Sequence, residues 1–201
     1  MSAGLTQAAH WIELTRRGLS NAPQASETLR QAEETVRKAS ETMSQVIWAT
    51  NPKHDTLEGL MRFACQYAEE FFEPMATDCR FDLPAVIPPL PLRAETRHGL
   101  FLVIKEALHN AAKHASARTV RLRLALAETS FTLEIEDDGC GFAVENLRSA
   151  VGGPQFPVGN GLANMRKRVE ELGGKFHLES EPGQGTKIKV TIPVRPDHSS
   201  S

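Results

Sequence analysis

With 201 residues the chain has room for one sizeable domain plus a smaller element. Its balance of 40% apolar and 24% charged residues, with a net charge of -2, is that of an ordinary globular protein and argues against a nucleic-acid binder driven by phosphate neutralisation. No apolar run approaches the roughly 18 residues of a membrane span, and the opening MSAGLTQ lacks a basic region followed by an apolar stretch, so neither membrane contact nor a secretory signal is expected.

The three cysteines, Cys65, Cys79 and Cys140, are odd in number and have no C-x-x-C spacing. A disulfide framework or zinc knuckle is therefore not expected, and a reducing, cytoplasmic setting fits better.

The first fifty residues carry heptad spacing. Leu5, Ala8, Ile12, Thr15 and Leu19 form one seam; Leu29, Ala32, Val36, Ala39, Met43, Val46 and Thr50 form a longer one. The break from Gly18 to Pro23 reads as a turn, giving a helical hairpin over residues 1–52. One hairpin leaves its apolar stripe half covered, so the expectation is a homodimer through residues 1–50 that closes a four-helix bundle. The alternative is a helical cap folded on the same chain. Asn51-Pro52 ends the second helix, because the residue before proline avoids the helical region.

Residues 53–94 read as a joining segment: a helix with Leu57, Leu60, Met61, Ala64, Tyr67, Ala68 and Phe71 on one side, a first strand, and the proline-rich LPAVIPPLPL. The stretch KEALHNAAKH, residues 105–114, follows on a helix whose other side is apolar. At 100° per residue it gathers Glu106, Asn110 and Lys113 on one strip, with His114 beside them. After it the period changes to two. RTVRLRLAL and FTLEIED, then KFHLESE and TKIKVTIPV, alternate apolar and polar residues as antiparallel strands with one buried face. Between the pairs, GLANMRKRVEELGG reads as a helix stopped by Gly173-Gly174. The sum is an α+β fold: a two-layer sandwich of helices on one antiparallel-rich sheet, preceded by the hairpin.

Three glycine turns adjoin these elements: Asp137-Asp138-Gly139-Cys140-Gly141, Gly159-Asn160-Gly161, and Gly183-Gln184-Gly185-Thr186. Glycines let backbone approach a ligand, and a helix N-terminus offers free N–H groups to an anion. An aspartate at a strand end offers only acceptors, which suits an exocyclic amino group such as that of adenine. Asn110 can give Mg²⁺ a hard oxygen, and Lys113 and His114 can donate to phosphates. A nucleotide pocket follows. A P-loop is excluded, because Gly173-Gly174-Lys175 continues with Phe176; no H-R-D or D-F-G pair and no H-E-x-x-H is present.

These blocks resemble the catalytic domain of two-component sensor histidine kinases, in their DesK/NarX-like branch, within the wider GHKL (Bergerat-fold) ATPase group. KEALHNAAKHA is similar to the family's N box, DDGCGF to its first glycine box, GNGLANM to its second, and GQGTKIKV to its final block. The resemblance implies a domain core over residues 95–196, with 197–201 a tail. It implies ATP and Mg²⁺ as cofactors, Asn110 as the Mg²⁺ ligand, and Glu106 as the catalytic group that polarises the attacking group or a water. Lys113 and His114 would contact phosphates. Asp137 would bind the adenine amino group, assisted by Gly139, Gly141 and Thr186. Gly159, Gly161 and Leu162 would frame the phosphate end of a lid over residues 143–158. A response regulator is the implied partner. VIWATNPKHDTLEGL looks like the family's join between dimerisation helices and ATPase domain.

One departure stands out. The branch carries its acceptor histidine in a motif close to H-D-x-L-G, and AGLTQAAHW resembles the stretch just after it. His10, followed by Trp11-Ile12-Glu13, does not fit that motif, and His54, His98 and His177 read as surface or packing residues. The chain by itself is therefore expected not to autophosphorylate, while phosphorylating a longer protomer in a mixed dimer. The competing classes are an anti-sigma-type protein serine kinase or ATPase, which would lack the long hairpin, and a non-catalytic dimer module.

Overall fold

The computed structural model describes residues 55–144 and 161–194, together with Ala32 and Val36, which are both helical and half-buried. The chain divides into two units, Met1–His54 and Asp55–Ser201. The hairpin turn, His10, His54, Gly159 and nearly all of the expected lid lie outside the described residues.

The second unit begins with α1 (Leu57–Phe72), which starts where it does because Thr56 caps it. Thr56 is extended, and its hydroxyl accepts the Gly59 N–H at 3.0 Å. Leu57, Leu60, Met61, Ala64, Ala68 and Phe72 recur at helical spacing and are all buried. β1 (Asp78–Asp82) follows. The proline-rich stretch then returns to the start of α1: the Leu57 N–H donates to the Leu90 carbonyl and the Leu92 N–H to that of Asp55, both at 2.8 Å. Arg97, fully buried near the start of α2 (Ala94–Asn110), pairs with Asp55 at 2.9 Å.

The sheet order is β1-β2-β3-β5-β4, where β2 is Thr119–Ala127, β3 Ser130–Asp137, β4 Lys175–Ser180 and β5 Thr186–Pro193. The last four strands pair antiparallel, as their alternation predicts; β1 joins β2 in parallel. Val120, Leu122 and Leu124, then Phe131, Leu133 and Ile135, then Ile188, Val190 and Ile192 form the buried face. The helices, including α3 (Gly161–Glu171), share this core through buried residues such as Phe101, Ile104, Leu108, Met165 and Val169.

The opposite sheet face is a ladder of charge. Glu134 is buried among cations, 2.9 Å from Arg123 and 3.6 Å from Lys189, while Lys187 reaches Glu136 at 3.1 Å. Oppositely charged cross-strand neighbours of this kind hold register. Register matters for function: the two-residue period that buries Phe131, Leu133 and Ile135 also delivers Asp137 to the helical side. There it pairs across the sheet with Thr186.

Candidate nucleotide site

A cavity of about 770 Å³ opens between α2 and the ends of β3 and β5. That size lies within the range of about 300–1,000 Å³ typical of small-molecule sites. Glu106, Asn110, Lys113 and His114 line it from one side, Asp137, Cys140 and Gly141 from the end of β3, Leu162 from α3 and Thr186 from β5. The polar strip of the KEALHNAAKH helix therefore faces a hollow.

The helix does not keep one pitch. After Asn110 it widens into a π-turn over Ala111–Ala115, stopped by Ser116 in the left-handed conformation at φ 51°. Such bulges concentrate at functional sites. This one changes the angular spacing of Lys113 and His114, whose side chains are exposed while still lining the cavity.

Asp137 is buried, with 8% of its surface exposed. Burial pushes its carboxyl above the ordinary carboxylate range, while the N–H groups of Gly139 and Thr186 pull the other way. The Gly139 N–H bond is 3.0 Å. Its neighbour Asp138 points away from the buried side. The Thr119 and Arg118 N–H groups donate to Asp138 at 2.9 and 2.8 Å, which holds that carboxyl low and pins β2 to the glycine turn.

Gly139 lies against Ala115, where a Cβ would collide with backbone. Gly141 has φ 55°, and a side chain there would meet the Glu181 and Gly185 carbonyls. The first and third glycine turns are thus clasped together, with the Gly183 N–H donating to the Cys140 carbonyl at 2.6 Å. Gly161 opens α3 against the Glu106 carboxylate, which a methyl group there would push aside. An acid at that end is favoured by the helix dipole.

Other residues complete the wall. Phe71, Met75, His109, Phe142, Ile135 and Ile188 also line the cavity. The His109 ring stacks on Phe71 at 4.5 Å and its Nε2 meets the Tyr67 hydroxyl at 2.8 Å. No sequence signal singled out His109 or Met75. Phe71 belonged to the apolar set of its helix, and only the packing of α1 on α2 turns it toward the site. Cys140 is exposed on the cavity wall and its thiol donates to the His114 carbonyl at 3.2 Å.

A helix-backed mixed sheet with this hollow at the ends of its central strands is the catalytic-domain fold of an ATPase. The chain belongs to the histidine kinase-, DNA gyrase B- and HSP90-like ATPase family, whose sequence model matches residues 95–196. Among relatives, the sensor protein VraS of Staphylococcus epidermidis is 35% identical over 102 residues, covering 51% of this chain and 27% of its own length. The sensor histidine kinase LiaS of Bacillus subtilis is 28% identical over 144 residues, 71% of this chain and 37% of its own. The chain thus spans only 27% and 37% of those relatives. Two solved structures share the fold. The histidine kinase domain of the Erythrobacter litoralis blue-light activated kinase has a TM-score of 0.56 at 21% identity, over 96% of this chain and 94% of that one. The catalytic domain of histidine kinase ThkA has 0.57 at 23%, over 71% and 96%.

Proposed function

We propose that this chain is the ATP-binding catalytic part of a sensor histidine kinase, binding Mg-ATP in the cavity beside Asp137 and transferring the γ-phosphoryl group to a histidine. The observation that carries this is the convergence of Glu106, Asn110, Lys113, His114, Asp137 and Thr186 on one hollow in a chain of this family.

The donor set suits the ligand. Asp137 offers acceptors to an amino group on the base. Lys113 and His114 offer donors to the phosphates. Mg²⁺ keeps several waters and takes few protein ligands besides substrate phosphates. The Asn110 carbonyl oxygen, one turn from Glu106, meets that requirement. The metal supplies charge neutralisation on the phosphates when bound; positioning is the task of the chain's own residues. Glu106 polarises the attacking imidazole nitrogen, and residues 143–158 act as the lid, with Gly159 at its edge. Residues 1–50 dimerise the chain, a response regulator receives the phosphoryl group, and the work is cytoplasmic. His10 does not fit the acceptor motif and is not the acceptor.

Titration with a fluorescent ATP analogue, with and without Mg²⁺, tests the pocket. Wild type should bind more tightly with the metal, and Asn110→Ala should lose that difference. Equal metal dependence in both would remove Asn110 from the metal site. Radiolabelled ATP should label an added protomer bearing an H-D-x-L-G acceptor and leave this chain unlabelled by itself. Label on the chain alone, lost in His10→Gln, would make His10 the acceptor and overturn this reading of it.

A further inference from the structure

Cys65 stands on α1 and Cys79 on β1; both are half-buried free thiols. β1 is an edge strand of the sheet and follows α1 directly in the chain. Its residues alternate: Asp78, Arg80 and Asp82 are exposed, Cys79 and Phe81 half-buried. In the parallel register Cys79 pairs with Val120, which is in the core, so Cys79 turns toward the helices. On α1, Glu69 stands one turn beyond Cys65 on the same flank. Burial above all pushes the Cys65 thiol up to about 12 and the Cys79 thiol up to about 11; the charge of Glu69 adds to both, and Cys79 acts on Cys65. The two thiols and the carboxylate therefore form one cluster.

The segment between the cysteines carries Phe71 and Met75, which line the cavity. Another flank of α1 holds that wall by contact alone. Tyr67 lies edge-on to Phe101 of α2, and the Phe71 ring stacks on His109 at 4.5 Å. At 100° per residue, Cys65 stands about 120° round the helix from Phe71.

We propose that Cys65 and Cys79 are a redox pair whose disulfide straps α1 to β1 and loosens the cavity wall at Phe71. The pair goes beyond the nucleotide reading above; its effect on nucleotide affinity rests on that reading. The oxidant is a low-molecular-weight disulfide. The Cys79 thiolate attacks one of its sulfurs and expels a thiolate, leaving a mixed disulfide on Cys79. Cys65, deprotonated in turn, attacks the Cys79 sulfur and expels the second thiolate. The protons given up by Cys65 and Cys79 pass to the two expelled thiolates, which also carry away the two electrons. Thiols this weakly acidic attack slowly, and as poor leaving groups they are released slowly, so the strap records lasting oxidation. A covalent bond on one flank of α1 outweighs ring contacts on the other, and Phe71 yields.

The test uses the full chain. Reduced wild type is incubated with oxidised glutathione, remaining thiols are alkylated, and peptides are mapped by mass spectrometry without reduction. A Cys65–Cys79 linked peptide should form slowly and disappear with excess dithiothreitol. Cys65→Ser and Cys79→Ser should each abolish it; should either not fold, the alanine variant replaces it. The Kd of a fluorescent ATP analogue is then measured before and after oxidation. The oxidised-to-reduced ratio in wild type should exceed that of either variant by about fivefold or more. Cys140 lines the cavity in all three chains, so its own modification is common to them. Glutathione adducts on Cys65 or Cys79 in place of the link would overturn the pair. A link with equal ratios in wild type and variants would overturn its hold on the cavity wall. Reduced wild type that fails to bind the analogue would overturn the nucleotide reading and the effect on affinity, while the linked peptide still decides the pair.

Discussion

Asp137 carries an energetic conflict. Its carboxyl is raised by burial despite two N–H donors, so ionising it in the ligand-free chain is unfavourable. The sign follows from linkage. A group whose folded pKa is raised contributes stability below its unfolded value, and that contribution is lost as pH rises through the folded one. At neutral pH the charged Asp137 is therefore a cost, which an amino group donating to it in the proposed complex would offset. Binding needs the ionised form, so nucleotide affinity should decline on acidification, beginning at a higher pH than an exposed aspartate near 3.8 would give. Measuring Kd from neutral to mildly acidic pH checks this. Asp137→Asn should bind at least about tenfold more weakly with a flattened profile; an unchanged profile would remove Asp137 from the ligand.

Strands and helices bring Asp137 and its partners together, and the glycine turns fit those elements to one another. Gly141 and Gly183 separate two costs that substitution can incur. Both have positive φ, 55° and 80°. A side chain at Gly141 would meet backbone carbonyls of the third turn, whereas nothing lies within 4 Å of one at Gly183. Gly183→Ala should therefore lose only about 1 kcal/mol, the backbone cost of the left-handed region. Gly141→Ala should lose about 3 kcal/mol or more and weaken nucleotide binding by parting the first turn from the third. Urea unfolding of the two variants distinguishes these outcomes; equal losses would show that the clasp between the turns carries no energy. The π-turn after Asn110 belongs to this scale too. A helical wheel places Glu106 and Asn110 well, because they precede the change of pitch, and misplaces Lys113 and His114 in angle.

At the scale of the whole molecule, the heptad seam of residues 29–50 and the ATPase domain are separate units of one chain. The seam proposes a dimer, tested by light scattering, which should give the mass of two chains. Val36→Glu with Met43→Glu places charges at two seam positions and should shift the chain toward monomer without altering ATP affinity, because the residues proposed to bind the nucleotide lie between 106 and 186. A monomeric wild type would remove the four-helix bundle.

What the sequence determined by itself were the features written in local spacing. The two-residue period of 119–137 and 175–194 gave four strands and their buried face, and with that period the side of the sheet on which Asp137 stands. The motif blocks identified Glu106, Asn110, Lys113, His114, Asp137, Gly141 and Thr186, which the fold gathers on one cavity. Only the tertiary structure decided the rest. It placed β1 parallel to β2, set Phe71 against His109, and tied Ser180 to Phe142 and Thr186. The physical reason is range. Periodicity records which face of an element meets the core, because neighbours two, three or four residues apart share that face. Which distant groups then meet depends on how packed elements settle against one another, and no short window of sequence carries that.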